Sequence, residues 1–248
     1  MKDIKTLKNE IIAWIQDYAK KNGDCKVVIG ISGGTDSSVV CKLLVEALGK
    51  DRVIGVLMPC GHQHDIDVSK ALVNLLGIKY YIINIEEPVL ALRKLIGEEF
   101  KMDPNDIDAY KSNTPARIRM TTLYGISALV GGARVVNTCN LSEDYVGYST
   151  KFGDAAGDFS VLAKITKTEV RALGRELGLP SLFVDKVPED GMSGKSDEEK
   201  LGFTYEVLDR YIRTGEIDDL SIKEKIDRLN KANLHKLKLM PTFGTNND

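Results

Sequence analysis

Residues 25–49, CKVVIGISGGTDSSVVCKLLVEALG, constrain the fold of this chain more than any other stretch. The run CKVVI is short, apolar and β-branched, which predicts a buried strand. Beyond the turn, Val39, Val40, Leu43, Leu44, Ala47 and Leu48 recur at helical spacing, and Gly49 follows as a C-cap. Between them lie Gly30, Gly33 and Gly34 with small polar residues, so a glycine-rich turn joins a strand to a helix carrying Asp36, Ser37 and Ser38 in its first turn. Free backbone N–H groups and the positive end of a helix dipole then converge on one point, a ready anion site.

The rest of the chain repeats the strand–helix alternation. Residues 3–21 form an amphipathic helix with Ile4, Leu7, Ile11, Ile15 and Tyr18 in one stripe. Strands are expected at 26–31, 52–59, 79–85 and 134–140, with helices at 36–48, from about His64 to Leu76, and over PVLALRKLIGEEF. A long helix is expected to start with Thr114 as N-cap and Pro115 at N1 and to run to about Val130. Near-continuous apolar strands separated by helices imply an α/β fold, a doubly wound and mostly parallel sheet flanked by helices, Rossmann-like. Residues 141–160 read as a long polar, glycine-rich loop, and 185–199 as a mobile loop or lid. Three capping boxes announce helices: Thr166 with Glu169, Ser196 with Glu199, and Ser221 with Glu224. With no repeat and no linker, residues 1–248 are expected to form a single domain.

Composition excludes several classes. Thirty-four basic and thirty-six acidic side chains leave a net charge of −2, which offers no general electrostatic case for nucleic acid. No apolar run is long enough for a membrane span, and the N-terminus lacks the features of a secretory signal. Cys25, Cys41, Cys60 and Cys139 are scattered, which favours reduced thiols in a cytoplasmic protein over a zinc site or a disulfide framework.

The order Ser32-Gly33-Gly34-Thr35-Asp36-Ser37 fits neither a dinucleotide fingerprint nor a Walker A loop, which needs a Lys before its last Ser/Thr. It resembles the S-G-G-x-D-S loop of the PP-loop ATP pyrophosphatases. That resemblance implies ATP as co-substrate, bound by Gly30, Ile31, Ser32, Gly33, Gly34, Thr35, Asp36 and Ser37, with cleavage between the α and β phosphates. The glycines would admit pyrophosphate close to the backbone, the hydroxyls of Ser32, Thr35 and Ser37 would donate to its oxygens, and Asp36 would hold Mg²⁺.

Five further segments select within that superfamily: ARIRM (116–120), NTCNLSEDYVGYSTKFGDAAGD (137–158), ITKTEV (165–170), SDEEKLGFTYEVLD (196–209) and LHKLKLMPTF (234–243). In order and spacing they are similar to the ammonia-dependent NAD synthetases. The resemblance covers nearly the whole chain and implies synthesis of NAD⁺ from deamido-NAD⁺, ammonia and ATP through an acyl adenylate, usually by a homodimer. Without an amidotransferase or nitrilase domain, free ammonia is the expected nitrogen donor. Carried over by residue, Asp36 and Glu143 would hold Mg²⁺, Thr138 and Lys167 would contact ATP, and Arg117, Lys151, Asp158, His235 and Lys236 would bind deamido-NAD⁺. Asp36, Asp158 and Lys167 would be catalytic, Asp158 as a candidate site for ammonium. The N1 position of Lys167 on a helix over 166–177 would add backbone donors beside its cation.

Taken singly, each residue has an ordinary alternative. Arg117 and Lys167 read equally as solvated helix-surface charges, Glu143 and Asp158 as turn caps, and His235-Lys236 as part of a frayed basic tail. His62 and His64 form an H-x-H pair that reads better as loop than as metal site, and Trp14 reads as packing. Pro188-Glu189-Asp190 departs from the family's usual Pro-Ser/Thr-Ala, which puts an ATP contact there in doubt. Two other readings stay open: an adenylating enzyme acting on transfer RNA or another base, and a nucleotide-binding sensor without turnover. The apolar helix 118–130 could supply a dimer surface or simply core packing.

Overall fold

A computed structural model describes residues 3–63, 66–185 and 196–243. Five strands, β1 (Val27–Gly30), β2 (Val53–Leu57), β3 (Lys79–Ile82), β4 (Arg134–Asn137) and β5 (Phe159–Ser160), form one sheet in the order β3-β2-β1-β4-β5. Every pairing is parallel, with Val27 beside Val53 on one side and Arg134 on the other.

The first face of the sheet is covered by α1 (Ile4–Lys21), α2 (Thr35–Leu48), α3 (Ile66–Leu76) and α7 (Lys167–Glu176). Val27, Ile29, Val53 and Leu57 point into that layer, and the alternate residues Val28, Ile54 and Val56 point into the other. The second layer is closed by α4 (Glu86–Phe100) and α5 (Asp108–Leu129), which supply Val89, Ile118, Leu123 and Ile126. Period-2 burial on both faces is why these strands read as unbroken apolar runs. Chain order reverses between β1 and β4, so a crevice opens at the carboxyl ends of those two strands, where ligands of such sheets bind.

A third apolar cluster stands beyond the sheet. It joins α6 (Leu141–Val146), α9 (Asp197–Leu201), α10 (Tyr205–Thr214) and α11 (Leu220–Asn233) through Val146, Leu201, Phe203, Tyr205, Leu208 and Ile226. The short α8 (Ser181–Val184) packs on α2 and α7.

Several expectations are corrected. The long helix starts at Asp108, two turns early, and Pro115 lies inside it, so Thr114 is not its N-cap. Residues 141–160 are not a loop throughout: α6 and β5 fall within them. Asn140 caps α6 in a reciprocal box with Glu143, and Gly147 ends it at φ 69°. That glycine is required twice over, because a Cβ there would lie 2.1 Å from Cβ of Asn233 on α11. The last helix is capped by Asp219, not Ser221, whose amide and hydroxyl both donate to the Asp219 carboxylate. The Thr166–Glu169 and Ser196–Glu199 boxes are present. His64 and residues 186–195, including Pro188-Glu189-Asp190, lie outside the described residues.

Candidate active site

The glycine-rich turn leaves β1 at Gly30 and enters α2 at Thr35. Gly33 takes φ +81°, and a Cβ there would meet Ser69 Oγ of α3 at 2.9 Å, so only glycine follows this path without strain. Inside the turn the hydroxyls bond mostly to one another and to backbone. Ser32 and Ser37 Oγ lie 3.1 Å apart, Ser37 and Ser38 donate to the Gly34 carbonyl, and Thr35 Oγ1 donates to Val184 O at 3.3 Å. Thr35 and Ser37 are buried. Their hydroxyls therefore help to hold the shape of the turn.

What remains free is backbone. The amides of Gly33, Thr35, Asp36 and Ser37 find no acceptor among the described residues, and no side chain caps α2. Ser69 Oγ, buried beside the turn, is also unpartnered. A fourteen-residue helix thus presents an uncapped N-terminus at the strand tips.

Beside it three charged side chains from three elements converge. Lys167 Nζ donates to Asp36 Oδ2 and, at 3.3 Å, to Glu143 Oε1. Asn140 Nδ2 donates to Asp36 Oδ1 at 2.8 Å, and the Lys167 ammonium lies 5.5 Å from the ring centroid of Tyr205. Lys167 is 2 % exposed. Its burial would lower its pKa, but Asp36 and Glu143 outweigh that and raise it, so the cation is secure. Burial, with repulsion from Asp36, pushes the Glu143 carboxyl up despite Lys167. Two carboxylates share one ammonium, and the cluster is short of positive charge.

The N-terminus of α7 behaves in the opposite way to that of α2. The Lys167 amide donates to Ser142 Oγ at 2.9 Å, the Thr168 amide to Asp209 Oδ2 at 2.7 Å, and Ser142 Oγ itself donates to Asp209 Oδ1. The expectation that this terminus offers backbone donors to phosphate is corrected: only the ammonium of Lys167 is available.

The remaining candidates fall into two groups. Arg117 Nε donates to the Lys151 carbonyl at 3.4 Å and Lys151 Nζ to the His235 carbonyl at 2.7 Å; Lys236 Nζ donates to the carbonyls of Gly147 and Ser149. The structure brings these four together along α5, the segment after α6 and the chain beyond α11. His235 Nδ1 donates to Ala232 O at 3.1 Å. Lys236 also reaches a cleft of about 660 Å³ lined by Asn137, Asp144, Tyr145, Phe159 and Lys164. Thr138 follows β4 directly, half-buried at the crevice. Asp158 is set apart: its carboxylate accepts the Val135 amide at 2.7 Å and the Tyr124 hydroxyl at 3.4 Å, below the tip of β4. Trp14 stacks on Tyr18, with ring centroids 5.9 Å apart, and touches Phe159.

Sequence reasoning missed Asn140, Ser142, Tyr205 and Asp209. The N-x-x-E spacing of Asn140 and Glu143 carried a signal, whereas Ser142 and Asp209 meet across 67 residues with none.

Known proteins resemble this chain over nearly its whole length. The family model described as NAD synthase matches residues 7–241. An NH(3)-dependent NAD(+) synthetase of Pyrococcus furiosus is 34% identical, covering 93% of this chain and 92% of the relative. Another, from Alkaliphilus metalliredigens, is 36% identical over 93% and 94%. Among solved structures, an NMN synthetase from Francisella tularensis superposes with a TM-score of 0.88 at 29% identity, covering 99% of this chain and 100% of that one. An NH3-dependent NAD synthetase from Campylobacter jejuni gives 0.78 at 29% identity, over 98% and 100%.

Proposed function

The chain belongs to the NAD synthase family, and on that premise we propose that it amidates the nicotinate carboxylate of deamido-NAD⁺ with ammonia, splitting ATP to AMP and pyrophosphate. The observation that carries the chemistry is the uncapped N-terminus of α2 standing beside the Asp36–Lys167–Glu143 cluster. The free amides of Gly33, Thr35, Asp36 and Ser37 receive the oxygens of the leaving pyrophosphate, and Lys167 Nζ adds a fixed positive charge. A substrate carboxylate oxygen attacks the α phosphorus and the bond to pyrophosphate breaks, giving an acyl adenylate. Ammonia then attacks the acyl carbon, loses a proton, and AMP departs. Positioning and charge neutralisation supply most of the rate.

Asp36 and Glu143 fit Mg²⁺. Two hard carboxylate oxygens sharing a single ammonium suit a cation whose other ligands are phosphate oxygens. No cluster of three or more metal-type side chains occurs among the described residues, so the protein alone does not complete a shell. When bound, the ion supplies charge neutralisation on the phosphates. Arg117, Lys151, His235 and Lys236 form the acceptor side of the site in this reading, with Thr138 contacting ATP. Asp158 keeps acceptor capacity beyond its bonds to Val135 and Tyr124, and in this reading it serves the acceptor side with it.

Four unpaired cysteines suit a reducing, cytoplasmic setting, and no described helix is long and apolar enough to cross a membrane. A homodimer is supported by α4, none of whose side chains is fully buried and which exposes Leu90, Leu95 and Phe100.

A second acceptor is favoured by the likeness to the Francisella NMN synthetase. Nicotinate mononucleotide carries the same carboxylate without the adenylate half. Purified protein given Mg²⁺, ATP and ammonium with either acceptor will show which is amidated. AMP and NAD⁺ are expected from deamido-NAD⁺, and Asp36→Asn should lower turnover at least about hundredfold with an unchanged melting temperature. ADP and orthophosphate as products would overturn the scheme.

A further inference from the structure

Arg119 has no role in the reaction as described above. It lies two residues beyond Arg117 on α5, and its Nε donates to the carbonyl of Met58 at 3.1 Å, just past the tip of β2. Among the described residues no carboxylate pairs with it, and its terminal nitrogens have no acceptor. Burial pulls its pKa below the usual arginine range, only partly offset by Cys60 and Asp154. A half-buried cation without a counter-charge is costly unless an anion arrives to meet it.

Its place in the fold says which anion. A Cβ on Gly30, the last residue of β1, would meet Met58 Cε at 3.2 Å and Leu123 Cδ1 at 3.6 Å, so α5 crosses the tip of β1 at Leu123. The chain leaves the far end of α5 to start β4 from the bottom of the sheet, so residues before Leu123 rise above the strand tips. Arg119 is one turn earlier, about 6 Å higher, at the level of the glycine-rich turn. The turn, α2 and Lys167 occupy the opposite face of the sheet, which α1, α3 and α7 also fill. A nucleotide whose outer phosphates sit on the N-terminus of α2 therefore extends across the tip of β1 toward α5.

We infer that Arg119 is a binding residue of the same reaction, its guanidinium receiving an oxygen of the α phosphate of ATP and of the adenylate made from it. The inference rests on the ATP-splitting reading above. In that position Arg119 and the amides of the turn hold the two sides of the bond that breaks, one on the group transferred and the other on the group that leaves. The guanidinium also stays with the phosphate when AMP is expelled, whereas the turn releases its ligand with pyrophosphate.

The test compares wild type, Arg119→Met and Arg119→Lys by thermal melting alone and with AMP, pyrophosphate or deamido-NAD⁺, alongside steady-state kinetics. Removing a half-buried cation that has no ion-pair partner among the described residues should leave ligand-free Arg119→Met melting at or above wild type. The shift produced by AMP should vanish while that produced by pyrophosphate persists, and kcat/KM should fall about hundredfold. Arg119→Lys should recover part of the AMP shift. An AMP shift in Arg119→Met equal to that of wild type would overturn the inference, as would loss of the deamido-NAD⁺ shift with the AMP shift intact. If Arg119→Met does not fold, Arg119→Lys decides alone, since an undiminished AMP shift there overturns the inference and a reduced one supports it. Failure of the underlying reading is recognised separately, by wild-type protein releasing ADP and orthophosphate.

Discussion

At the residue scale, the site depends on side chains that touch no substrate. Asp209 is 4 % exposed and accepts from Ser142 Oγ and the Thr168 amide, while Ser142 accepts from the Lys167 amide. This buried chain sets where Lys167 starts its helix and where Glu143, the neighbour of Ser142, faces it. Asp209→Ala should leave two buried donors unmet and cost about 1–3 kcal/mol in urea unfolding. Asp209→Asn keeps one oxygen for Thr168 and should lose less. Equal stability of Asp209→Ala and wild type would show the chain to be idle. Asp36, Glu143 and Lys167 were legible because each sits in a short motif. Their shared contact was not, since Lys167 and Asp36 meet across 131 residues.

Elements differ in what their ends are for. The N-terminus of α2 has no side-chain cap, whereas that of α7 is capped from within, by the Thr166–Glu169 box and the Ser142–Asp209 pair. Sequence pattern shows the Thr166–Glu169 box but not the Ser142–Asp209 pair that closes the same end. Glu169 also ties α7 to α10, because Arg213 Nε donates to Glu169 Oε1 at 3.1 Å and Nη2 to Oε2. Burial would raise its carboxyl, but the Arg213 fork and the Thr166 amide prevail, so it titrates below the ordinary 4.5. A depressed carboxyl contributes stability that is present above pH 4.5 and is lost as pH falls through the folded value. Glu169→Gln should be less stable by about 1 kcal/mol at pH 7, allowing for solvent screening, and should lose less on acidification to pH 3. Parallel acid profiles for the two proteins would contradict this. Similarly, Asn140→Ala removes both the cap of α6 and a bond to Asp36. It should lower stability by about 1 kcal/mol and turnover by more than that loss explains, read as kcat at a temperature where both proteins are folded.

For the whole molecule, the crevice between β1 and β4 gathers what the chain scatters. Asp36 comes from the first crossover, Thr138 from the tip of β4, and Lys167 from beyond the sheet. The C-terminal cluster of α6, α9, α10 and α11 is coupled to the sheet through Lys167, Tyr205 and Asp209. We therefore propose one cooperative unit, expected to give a single calorimetric transition. Two resolved transitions would separate the C-terminal cluster as its own folding unit. In the proposed homodimer, Leu95→Asp should shift sedimentation toward the monomer, since a charge on a buried interface is strongly disfavoured.

By itself the sequence determined the local vocabulary: apolar strands, the glycine-rich turn, and the two capping boxes at Thr166 and Ser196. Those signals act over a few residues, where sterics and backbone hydrogen bonding decide the outcome. Only the tertiary structure decided that α5 would run through Pro115, that residues 141–160 would supply a helix and an edge strand, and that one lysine would answer two carboxylates. Such outcomes depend on contacts between residues far apart in the chain, whose energies exist only once the layers have packed.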